Sequence, residues 1–234
     1  MILIIGCGLV GAELLKKLSH DGKVVVVDPY IDRISSDEIN DENYIHVKQQ
    51  FEEFLNNTYY HGLFECLVNV SYPIKRDIGE NPFPESIIFK NSIENHIGFY
   101  YDVMKSASIL LKPNEIGCVV SAASIYSTFI PRNELYEDSD RITPVDYVAS
   151  KSSIIFLSKF FAKNFNKNIY YNTISFGGVF NNHEQKFVDK YGAHTKSGQM
   201  LNVNDLIQSF LYLSKAHTNK INGIDLKIDD GFTL

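Results

Sequence analysis

Short runs rich in valine and isoleucine alternate with longer segments of helical spacing, and this alternation constrains the fold more than any other feature. The runs read as strands are residues 2–5, 23–28, 44–47, 64–70, 116–121, 169–175 and 224–228. Most of them show little polar–apolar alternation, as expected where helices cover both faces of a sheet. The repeated strand–helix order predicts an α/β fold, a doubly wound parallel sheet of about seven strands with helices on both faces.

The segments between these strands carry apolar residues at helical spacing. They are residues 9–20, 49–57, about 84–110, about 145–166 and 203–215. No linker interrupts the chain, so we expect one domain over residues 1–234, a length within reach of a single α/β domain. Two segments are predicted to be loops with a function: residues 127–143, and the polar residues 181–200, which we expect to form a substrate lid.

Composition and charge exclude several classes of partner. The net charge is -6 and no basic stripe is present, so neither nucleic acid nor an anionic membrane is an expected partner. The three cysteines are an odd number set in apolar runs, which indicates reduced core thiols and a cytoplasmic protein. The opening "MILII" is too short for a signal peptide or a membrane span. No Cys/His grouping has metal-ligand spacing, so we expect no metal.

A glycine-rich loop stands between the first strand and the first helix. The sequence "ILIIGCGLVGAELL" places Gly6, Gly8 and Gly11 in a Gly-x-Gly-x-x-Gly pattern. The first glycine permits a tight turn, the second lets the backbone approach a pyrophosphate, and the third lets helix pack on strand. The phosphates would face the first helical amides, including those of Leu9 and Val10. The pattern predicts a Rossmann-type dinucleotide site.

The second strand ends at Asp28, about 20 residues beyond the loop. A carboxylate there can accept both hydroxyls of the adenosine ribose. It would repel a 2′-phosphate by up to about 4 kcal/mol at 4 Å and an effective dielectric of 20. No Arg or Lys in the glycine loop offsets that repulsion, so the sequence favours NAD over NADP. The alternative is that the glycines serve only a turn and Asp28 only caps a strand.

A tyrosine and a lysine in "PVDYVASKSS", Tyr147 and Lys151, share one helix face at i and i+4. A tyrosine titrates near pH 10, so proton exchange near neutral pH requires about 4 kcal/mol of selective phenolate stabilisation. The lysine and the positive charge of an oxidised nicotinamide could supply much of it. Ser124 follows a strand and could hold a substrate oxygen. Tyr101 and Lys105 have the same spacing without a strand-end serine before them, and we interpret them as structural.

The order of several motifs resembles the short-chain dehydrogenase/reductase family over essentially the whole chain. After the glycine loop come "VNVSYP", "ENHIGFYY", "VVSAASIYS", "DYVASK" and "ISFGGVF". The resemblance implies an active site of Asn95, Ser124, Tyr147 and Lys151, in which Asn95 holds a proton-relay water and Lys151 also binds the nicotinamide ribose. It implies that Asn69 lies beside the cofactor and has a mainly structural role there.

The chain departs from the family pattern at several points. Its glycine spacing is tighter than is usual in the single-domain branch. The aspartate expected after the third strand is replaced by His46 or Val47. Phe176 followed by two glycines stands where Pro-Gly is usual, and the resemblance places Gly177 and Val179 at the cofactor.

Several short sequence segments narrow the resemblance to one branch of the family. That branch contains dehydrogenases of flagellin modification and of surface-polysaccharide synthesis, and it is linked to nonulosonic-acid pathways. The matching pieces are "SASIYS", an insertion ending "TPVDYVASK", "SFGGVF" and the tail "INGIDLKIDDGFTL". This implies hydride transfer between NAD and a secondary alcohol or ketone of a sugar or sugar phosphate. We expect a pocket walled by Tyr72, Tyr126, Phe176 and His183, with basic lid residues available for a phosphorylated or acidic sugar. Ser121 is an alternative to the family's serine.

Two other functions remain open. An NAD-retaining nucleotide-sugar epimerase or dehydratase uses a related pair, but only 83 residues follow Lys151, too few for its large substrate domain. The other is a non-catalytic, NAD-responsive binding protein. The helices near residues 97–111 and 145–166 are apolar on more than one face, which predicts a homodimer or homotetramer.

Overall fold

The computed structural model describes residues 1–29, 41–72, 82–136, 142–215 and 220–234. Seven strands form where the apolar runs predicted them. They are β1 (Ile2–Ile5), β2 (Val24–Val27), β3 (Tyr44–Val47), β4 (Cys66–Asn69), β5 (Gly117–Ala122), β6 (Ile169–Phe176) and β7 (Asp225–Ile228). Five of them are buried almost throughout, which explains why their sequences show no polar–apolar alternation.

The strands form one parallel sheet in the order β3-β2-β1-β4-β5-β6-β7. The predicted doubly wound α/β fold is confirmed. The chain runs outward from β1 to β3 and then returns to β4 on the other side of β1. Ligands of such sheets bind beyond the carboxyl ends of the strands at this reversal, between β1 and β4.

Helices cover both faces of the sheet. They are α1 (Leu9–Asp21), α2 (Phe51–Leu55), α3 (Ser86–Ile93), α4 (Phe99–Leu110), α5 (Val145–Asn164), α6 (Gln185–Gly192) and α7 (Val203–Leu213). The long helix predicted near 84–110 is interrupted, because a π-helical turn, Glu94–Gly98, joins α3 to α4. Helix α6 lies in the polar segment 181–200, where sequence analysis predicted only a loop. Its apolar residues are few, and the segment is too short for a clear period.

Successive side chains of a strand point to opposite faces of the sheet, where they contribute to two hydrophobic cores. In β1, Leu3 and Ile5 pack with α4 and α5, whereas Ile4 packs with α1 and α7. The three cysteines are free and buried, as predicted. Among the described residues, no helix combines the length and apolar character needed to cross a membrane.

The outer face of α5 remains apolar in the isolated chain. Phe156 is 72% exposed and Phe160 is 58% exposed. On α4, Tyr101 and Ile109 are also exposed. Large aromatic side chains grouped on a surface commonly mark an interface. These residues account for the unusually broad apolar character of the two helices.

Candidate active site

The glycine loop follows β1 and opens α1. Gly6 has φ +91°, in the region that favours glycine, and a Cβ there would lie 2.5 Å from the Cα of Ser71. A Cβ on Gly11 would collide with the carbonyl oxygen of Gly6, so helix and strand can pack closely only with glycine here. Gly8, by contrast, has no atom within 4 Å of a built Cβ. The loop is therefore tight at both ends and open in the middle, a shape that fits a pyrophosphate against the first amides of α1.

The first residues of α1 lie at the surface of this opening. Leu9 is 36% exposed and Val10 is half-buried. Gly8 is the N-cap of the helix, and no side chain caps it. The first amide groups of a helix have no partner within the helix and carry partial positive charge. Both residues therefore lie where their backbone can face an anion.

Asp28 follows β2 and reaches across to the glycine loop. Its Oδ2 accepts a hydrogen bond from the backbone N–H of Cys7 at 2.6 Å. Burial, together with the charge of Asp28, raises the pKa of the Cys7 thiol to about 12, so the thiol stays neutral. Asp28 therefore has a structural role, which sequence analysis had left open as an alternative to ribose binding. It also holds the carboxylate beside the loop, where a ribose ligand would have to lie.

His46 occupies the position where the family pattern has an aspartate. Its Nε2 lies 3.3 Å from the backbone oxygen of Asp28, and its ring stacks on Tyr44 with centroids 6.3 Å apart. Val47 is half-buried at the end of β3, and its carbonyl accepts from the N–H of Asp28 at 3.3 Å. Of the two, His46 is the one whose side chain lies beside the Asp28 backbone. An imidazole replaces a carboxylate at this edge of the site.

Asn69 ends β4 at the reversal of strand order and is fully buried. Its Oδ1 accepts from the backbone N–H of Ser71 at 3.1 Å and from the Ser71 hydroxyl at 2.6 Å. Its Nδ2 has no hydrogen-bond partner in the described part of the chain. A buried donor without a partner costs about 1–3 kcal/mol, so this amide is suited to a group bound at the switch point. The amide and the glycine cradle both fit a dinucleotide.

Ser124 lies two residues beyond β5 and is held in place by its own backbone contacts. Its hydroxyl accepts from the N–H of Tyr126 at 3.2 Å, as the cap of a short 3-10 turn. The Ser124 hydroxyl also lies beside the phenol of Tyr147 on α5, close enough to act on the pKa of that phenol. Ser121, the alternative, lies inside β5, and its hydroxyl is buried without a hydrogen-bond partner in the described ranges. The geometry therefore favours Ser124 as the serine that acts with Tyr147.

Burial sets the ionisation of Tyr147. It raises the pKa of the phenol to about 12, although the hydrogen bond with Ser124 acts to lower it. The neighbouring phenols of Tyr72 and Tyr136 raise this pKa further. We expected Lys151 and the positive charge of an oxidised nicotinamide to lower it; in the protein alone, burial outweighs the other influences. Tyr147 is accordingly a neutral proton donor near pH 7.

Lys151 lies one turn along α5 and is 6% exposed. Its Nζ donates to the carbonyl oxygen of Ala122 at 3.2 Å. The same nitrogen lies 5.4 Å from the ring centroid of Tyr100 and 6.0 Å from that of Tyr72. Burial lowers the pKa of Lys151 to about 8. The other Tyr/Lys pair, Tyr101 and Lys105, is exposed on α4.

Asn95 is not brought into this group. Its side chain is exposed, and its Nδ2 donates to the carbonyl oxygen of Asn91 at 2.7 Å. The π-helical turn that contains it instead buries the next residue, His96, whose ring centroid lies 4.7 Å from that of Tyr72. The structure thus unites three of the four predicted catalytic residues. Sequence analysis missed His96 because a π turn has no residue signature in this segment.

Two tyrosines border Tyr147 on the expected substrate side. Tyr126 and Tyr136 have hydroxyl oxygens 3.4 Å apart, and the Thr143 hydroxyl donates to Tyr136 at 3.1 Å. Tyr136 also packs against Phe187 of α6, with ring centroids 5.7 Å apart. Sequence analysis named Tyr126 but missed Tyr136, which belongs to the predicted loop 127–143, of which residues 137–141 lie outside the described residues. The resulting wall is rich in phenols.

The residues after β6 are anchored rather than loose. The N–H of Gly178 donates to the Tyr191 hydroxyl at 2.6 Å, and a Cβ on Gly177 would lie 2.7 Å from the same oxygen. Val179 forms an isolated bridge with Leu201. Tyr191 thereby connects the end of α6 to the end of β6. Any lid movement in residues 181–200 would have to break these contacts or hinge before them.

Two side chains expected to bind substrate lie beside this anchored segment. Phe176 is half-buried at the end of β6. His183 stacks on Phe187, with centroids 5.2 Å apart, and its Nδ1 accepts from the N–H of Asn181 at 3.1 Å. Among the basic lid residues, Lys190 donates to the carbonyl oxygen of Glu134 at 3.2 Å. His183 and Lys190 therefore already contact the protein itself.

Comparison with known proteins gives the same fold. A short-chain dehydrogenase of Leptospira borgpetersenii, solved with bound NAD+, aligns with a TM-score of 0.77 at 22% identity, covering 100% of this chain and 92% of the other. Aldohexose dehydrogenase of Thermoplasma acidophilum aligns with a TM-score of 0.77 at 14% identity, covering 98% and 93%. The chain has the fold of the short-chain dehydrogenases/reductases. The fold that the motif resemblance implied is confirmed.

Two sequence comparisons give further similarities. The family model described as the TrkA-N domain matches residues 2–60, which contain the glycine loop and Asp28. The post-translational flagellin modification protein A of Campylobacter coli is 26% identical over 224 residues, which are 94% of this chain and 83% of that protein. Within the described residues, no cluster of His, Cys, Asp or Glu could hold a metal ion.

Proposed function

We propose that this chain is an NAD-dependent oxidoreductase that transfers hydride between nicotinamide and a secondary alcohol or ketone. The observation that carries the proposal is the grouping of the Ser124 hydroxyl with the Tyr147 phenol, one helical turn from the buried Lys151, at the carboxyl end of β5. A hydroxyl pair held in this way can bind one substrate oxygen and exchange one proton with it. The solved structures with this fold include dehydrogenases with bound NAD+ or NADH, which supports a nicotinamide cofactor.

The roles of the chain's own residues follow from their contacts. A bound nicotinamide supplies or accepts the hydride. Ser124 holds the substrate oxygen, and Tyr147, protonated near neutral pH, donates its proton to a ketone oxygen as that oxygen gains negative charge. Alcohol oxidation requires Tyr147 to accept a proton instead, so its pKa must be lower in the loaded site. Lys151 lies one helical turn away and adds positive charge next to the phenol.

The proposed preference for NAD rests on Asp28. The carboxylate is held at the glycine loop by Cys7, so it would face any phosphate on the adenosine ribose. Calorimetric titration with NAD, NADH, NADP and NADPH tests this preference directly. We expect binding of the NAD pair and little binding of the NADP pair. Binding of neither pair would refute the enzymatic proposal, and preferential binding of NADP would refute the role of Asp28.

A sugar or sugar phosphate is the proposed substrate class, in bacterial surface-glycan biosynthesis. Its support is the flagellin modification relative at 26% identity, together with a phenol-rich wall of Tyr126 and Tyr136 that can bind hydroxyl groups. NADH formation across a panel of sugars, sugar phosphates and acidic sugars would identify the substrate. A panel of neutral and phosphorylated forms of the same sugar also tests whether His183 and the lid lysines receive a phosphate.

A matched pair of tyrosine variants tests catalysis itself. Tyr147→Phe removes the proton donor and should reduce kcat by at least about 100-fold, while NAD affinity is retained. Tyr101→Phe is the control, because Tyr101 has the same spacing to a lysine but is exposed on α4. Equal activity of the two variants would refute the assignment of Tyr147.

A non-catalytic, NAD-responsive binding protein is the second candidate, and one observation favours it. Asn95, which the family resemblance places in the proton relay, is exposed and bonded to Asn91. Such a protein would bind NAD, and its Tyr147→Phe variant would retain all cellular function. An NAD-retaining epimerase would differ again, since it would convert substrate without net release of NADH.

We also propose that the chain forms a homodimer or homotetramer through the faces of α4 and α5. The support is the exposure of Phe156 and Phe160 next to each other on one helix. Sedimentation of the purified chain at micromolar concentration measures the oligomeric state. A monomer would contradict this proposal without affecting the enzymatic one.

A further inference from the structure

The ammonium group of Lys151 is buried, and the described residues that surround it are aromatic. We propose that Tyr72 and Tyr100 are positioning residues for Lys151, whose ring faces stabilise its ammonium form and hold it beside Tyr147. The proposal deepens the proposed function and rests on it in one respect, because Lys151 matters here as the partner of Tyr147. Sequence analysis gave Tyr72 a different role, as part of the substrate wall, and gave Tyr100 none.

Tyr100 is fixed by the ends of two strands. It is fully buried at the start of α4, and its hydroxyl donates to the carbonyl oxygens of Ser71, at 3.0 Å, and Ala122, at 3.2 Å. Ala122 accepts the Nζ of Lys151 with the same carbonyl. The phenol and the ammonium therefore share one acceptor, and the Lys151 nitrogen lies 5.4 Å from the centroid of the Tyr100 ring.

Tyr72 lies at the rim of the same group. Its ring centroid is 6.0 Å from the Lys151 nitrogen, 6.1 Å from the Tyr147 ring and 4.7 Å from the His96 ring. His96 is 3% exposed, because the π-helical turn directs it inward. The interruption between α3 and α4 thus places an imidazole against Tyr72. Tyr72 in turn contacts both Lys151 and Tyr147.

The charge balance around Lys151 explains why ring faces matter. The titratable side chains around it are phenols: Tyr72 after β4 and Tyr100 on α4 face it, and Tyr147 lies one turn before it on α5. From β5 it meets the Ala122 carbonyl, to which it donates a hydrogen bond. Burial is the cause that lowers its pKa, and no carboxylate among the described residues offsets that effect. A cation within about 6 Å of an aromatic centroid is attracted by the ring quadrupole, so the two tyrosines oppose deprotonation.

Direct titration of Lys151 tests the proposal without substrate or NAD. The protein is labelled with lysine carrying ¹³C at Cε, and the Lys151 signal is assigned by its loss in Lys151→Arg. In Tyr72→Leu we expect the proton affinity of Lys151 to fall by about twofold to fivefold, because one ring face is removed. Tyr72→Phe keeps the ring and should leave the titration unchanged. Tyr72 is exposed enough to be replaced without loss of the fold.

The buried ring has its own pair of variants. Tyr100→Phe keeps the ring face and removes both hydroxyl bonds, whereas Tyr100→Leu removes both the face and the bonds. We expect the fall in proton affinity only with leucine. The matched control is Tyr101→Leu, because the exposed Tyr101 ring lies 5.7 Å from the nitrogen of Lys105 and should not affect Lys151.

The outcomes separate this proposal from the proposed function. An unchanged or raised proton affinity of Lys151 in Tyr72→Leu would overturn the positioning role, whatever the enzyme does. An equal fall in the proton affinity of Lys151 in Tyr72→Phe and Tyr72→Leu would also overturn the proposal, because phenylalanine keeps the ring face. NAD titration of the unmodified protein tests the function alone. Failure to bind NAD would leave the Lys151 titration valid.

Discussion

Replacement of the buried lysine by methionine should change the pH dependence of stability in a way that the structure allows to be worked out. Lys151 is 6% exposed, and burial lowers its pKa from 10.5 to about 8. Methionine has a similar length and no charge. Lys151→Met therefore removes one titrating group while it largely preserves the packing of α5 against the sheet.

The magnitude follows from linkage. Between about pH 8 and pH 10.5 the unfolded chain holds a proton on Lys151 that the folded chain has lost, so stability of the unmodified protein rises with pH. Each pKa unit corresponds to about 1.4 kcal/mol, so the full effect is about 3 kcal/mol. The penalty is fully present below about pH 8 and is relieved as the pH rises. Lys151→Met lacks this pH-dependent contribution to the free energy of unfolding.

The assay is urea unfolding at fixed protein concentration over a series of pH values, followed by circular dichroism. The free energy of unfolding of Lys151→Met minus that of the unmodified protein should fall by about 2–3 kcal/mol between about pH 7 and pH 10. Other titrating groups contribute to both proteins and largely cancel. Lys105→Met is the control, because Lys105 is exposed on α4 and should give a difference that does not depend on pH.

A pH-independent difference for Lys151→Met would refute the reasoning. It would mean that Lys151 meets water or a counter-charge in the folded protein. A difference that rose with pH would also refute it, because the pKa would then be raised on folding. The measured slope therefore tests the burial of Lys151 itself, independently of catalysis.

Four other predictions address the cofactor site and the surface. Gly6→Ala should destabilise or prevent folding, because its φ is +91° and the new Cβ would meet the Ser71 backbone at 2.5 Å. Gly8→Ala should leave thermal stability nearly unchanged, since the added Cβ meets nothing within 4 Å. The same variant should weaken NAD binding in calorimetry, and unchanged NAD affinity would contradict the role of the glycine loop as a pyrophosphate site. Asp28→Asn should reduce the preference for NAD over NADP. An unaltered ratio of the NADP and NAD dissociation constants would show that the charge of Asp28 does not cause the preference. Phe156→Lys should shift sedimentation toward the monomer, because Phe156 is 72% exposed, and an unchanged oligomer would exclude α5 from the interface.

The strands and the glycine loop were predictable because their requirements are local. A buried parallel strand needs a run of β-branched residues, and the predicted strands 2–5 and 23–28 became β1 and β2 within one residue of each boundary. Gly6, Gly8 and Gly11 each have the steric role that their spacing predicted. The i and i+4 spacing of the active-site pair likewise needs only a helix.

The assignment of Asn95 differed from the structure because helix geometry changed at that point. A π turn holds about one residue more per turn than an α-helix, so the residues within it face different directions from those expected of a continuous helix. Asn95 turned outward to Asn91, and His96 was buried against Tyr72. Helix α6 was missed because its few apolar residues pack against partners distant in the sequence: Phe187 contacts Tyr136, and Tyr191 stacks on Phe232.

By itself, the sequence determined the sheet, the cofactor loop and the pairing of Tyr147 with Lys151, because each depends on residues close together in the chain. Only the tertiary structure decided how those groups ionise and what surrounds them. Burial raises the pKa of Tyr147 and lowers that of Lys151, and the rings that face the lysine come from the segment after β4 and from α4. Desolvation and ring contacts depend on what the rest of the chain places around a group, and spacing along the sequence carries no record of that.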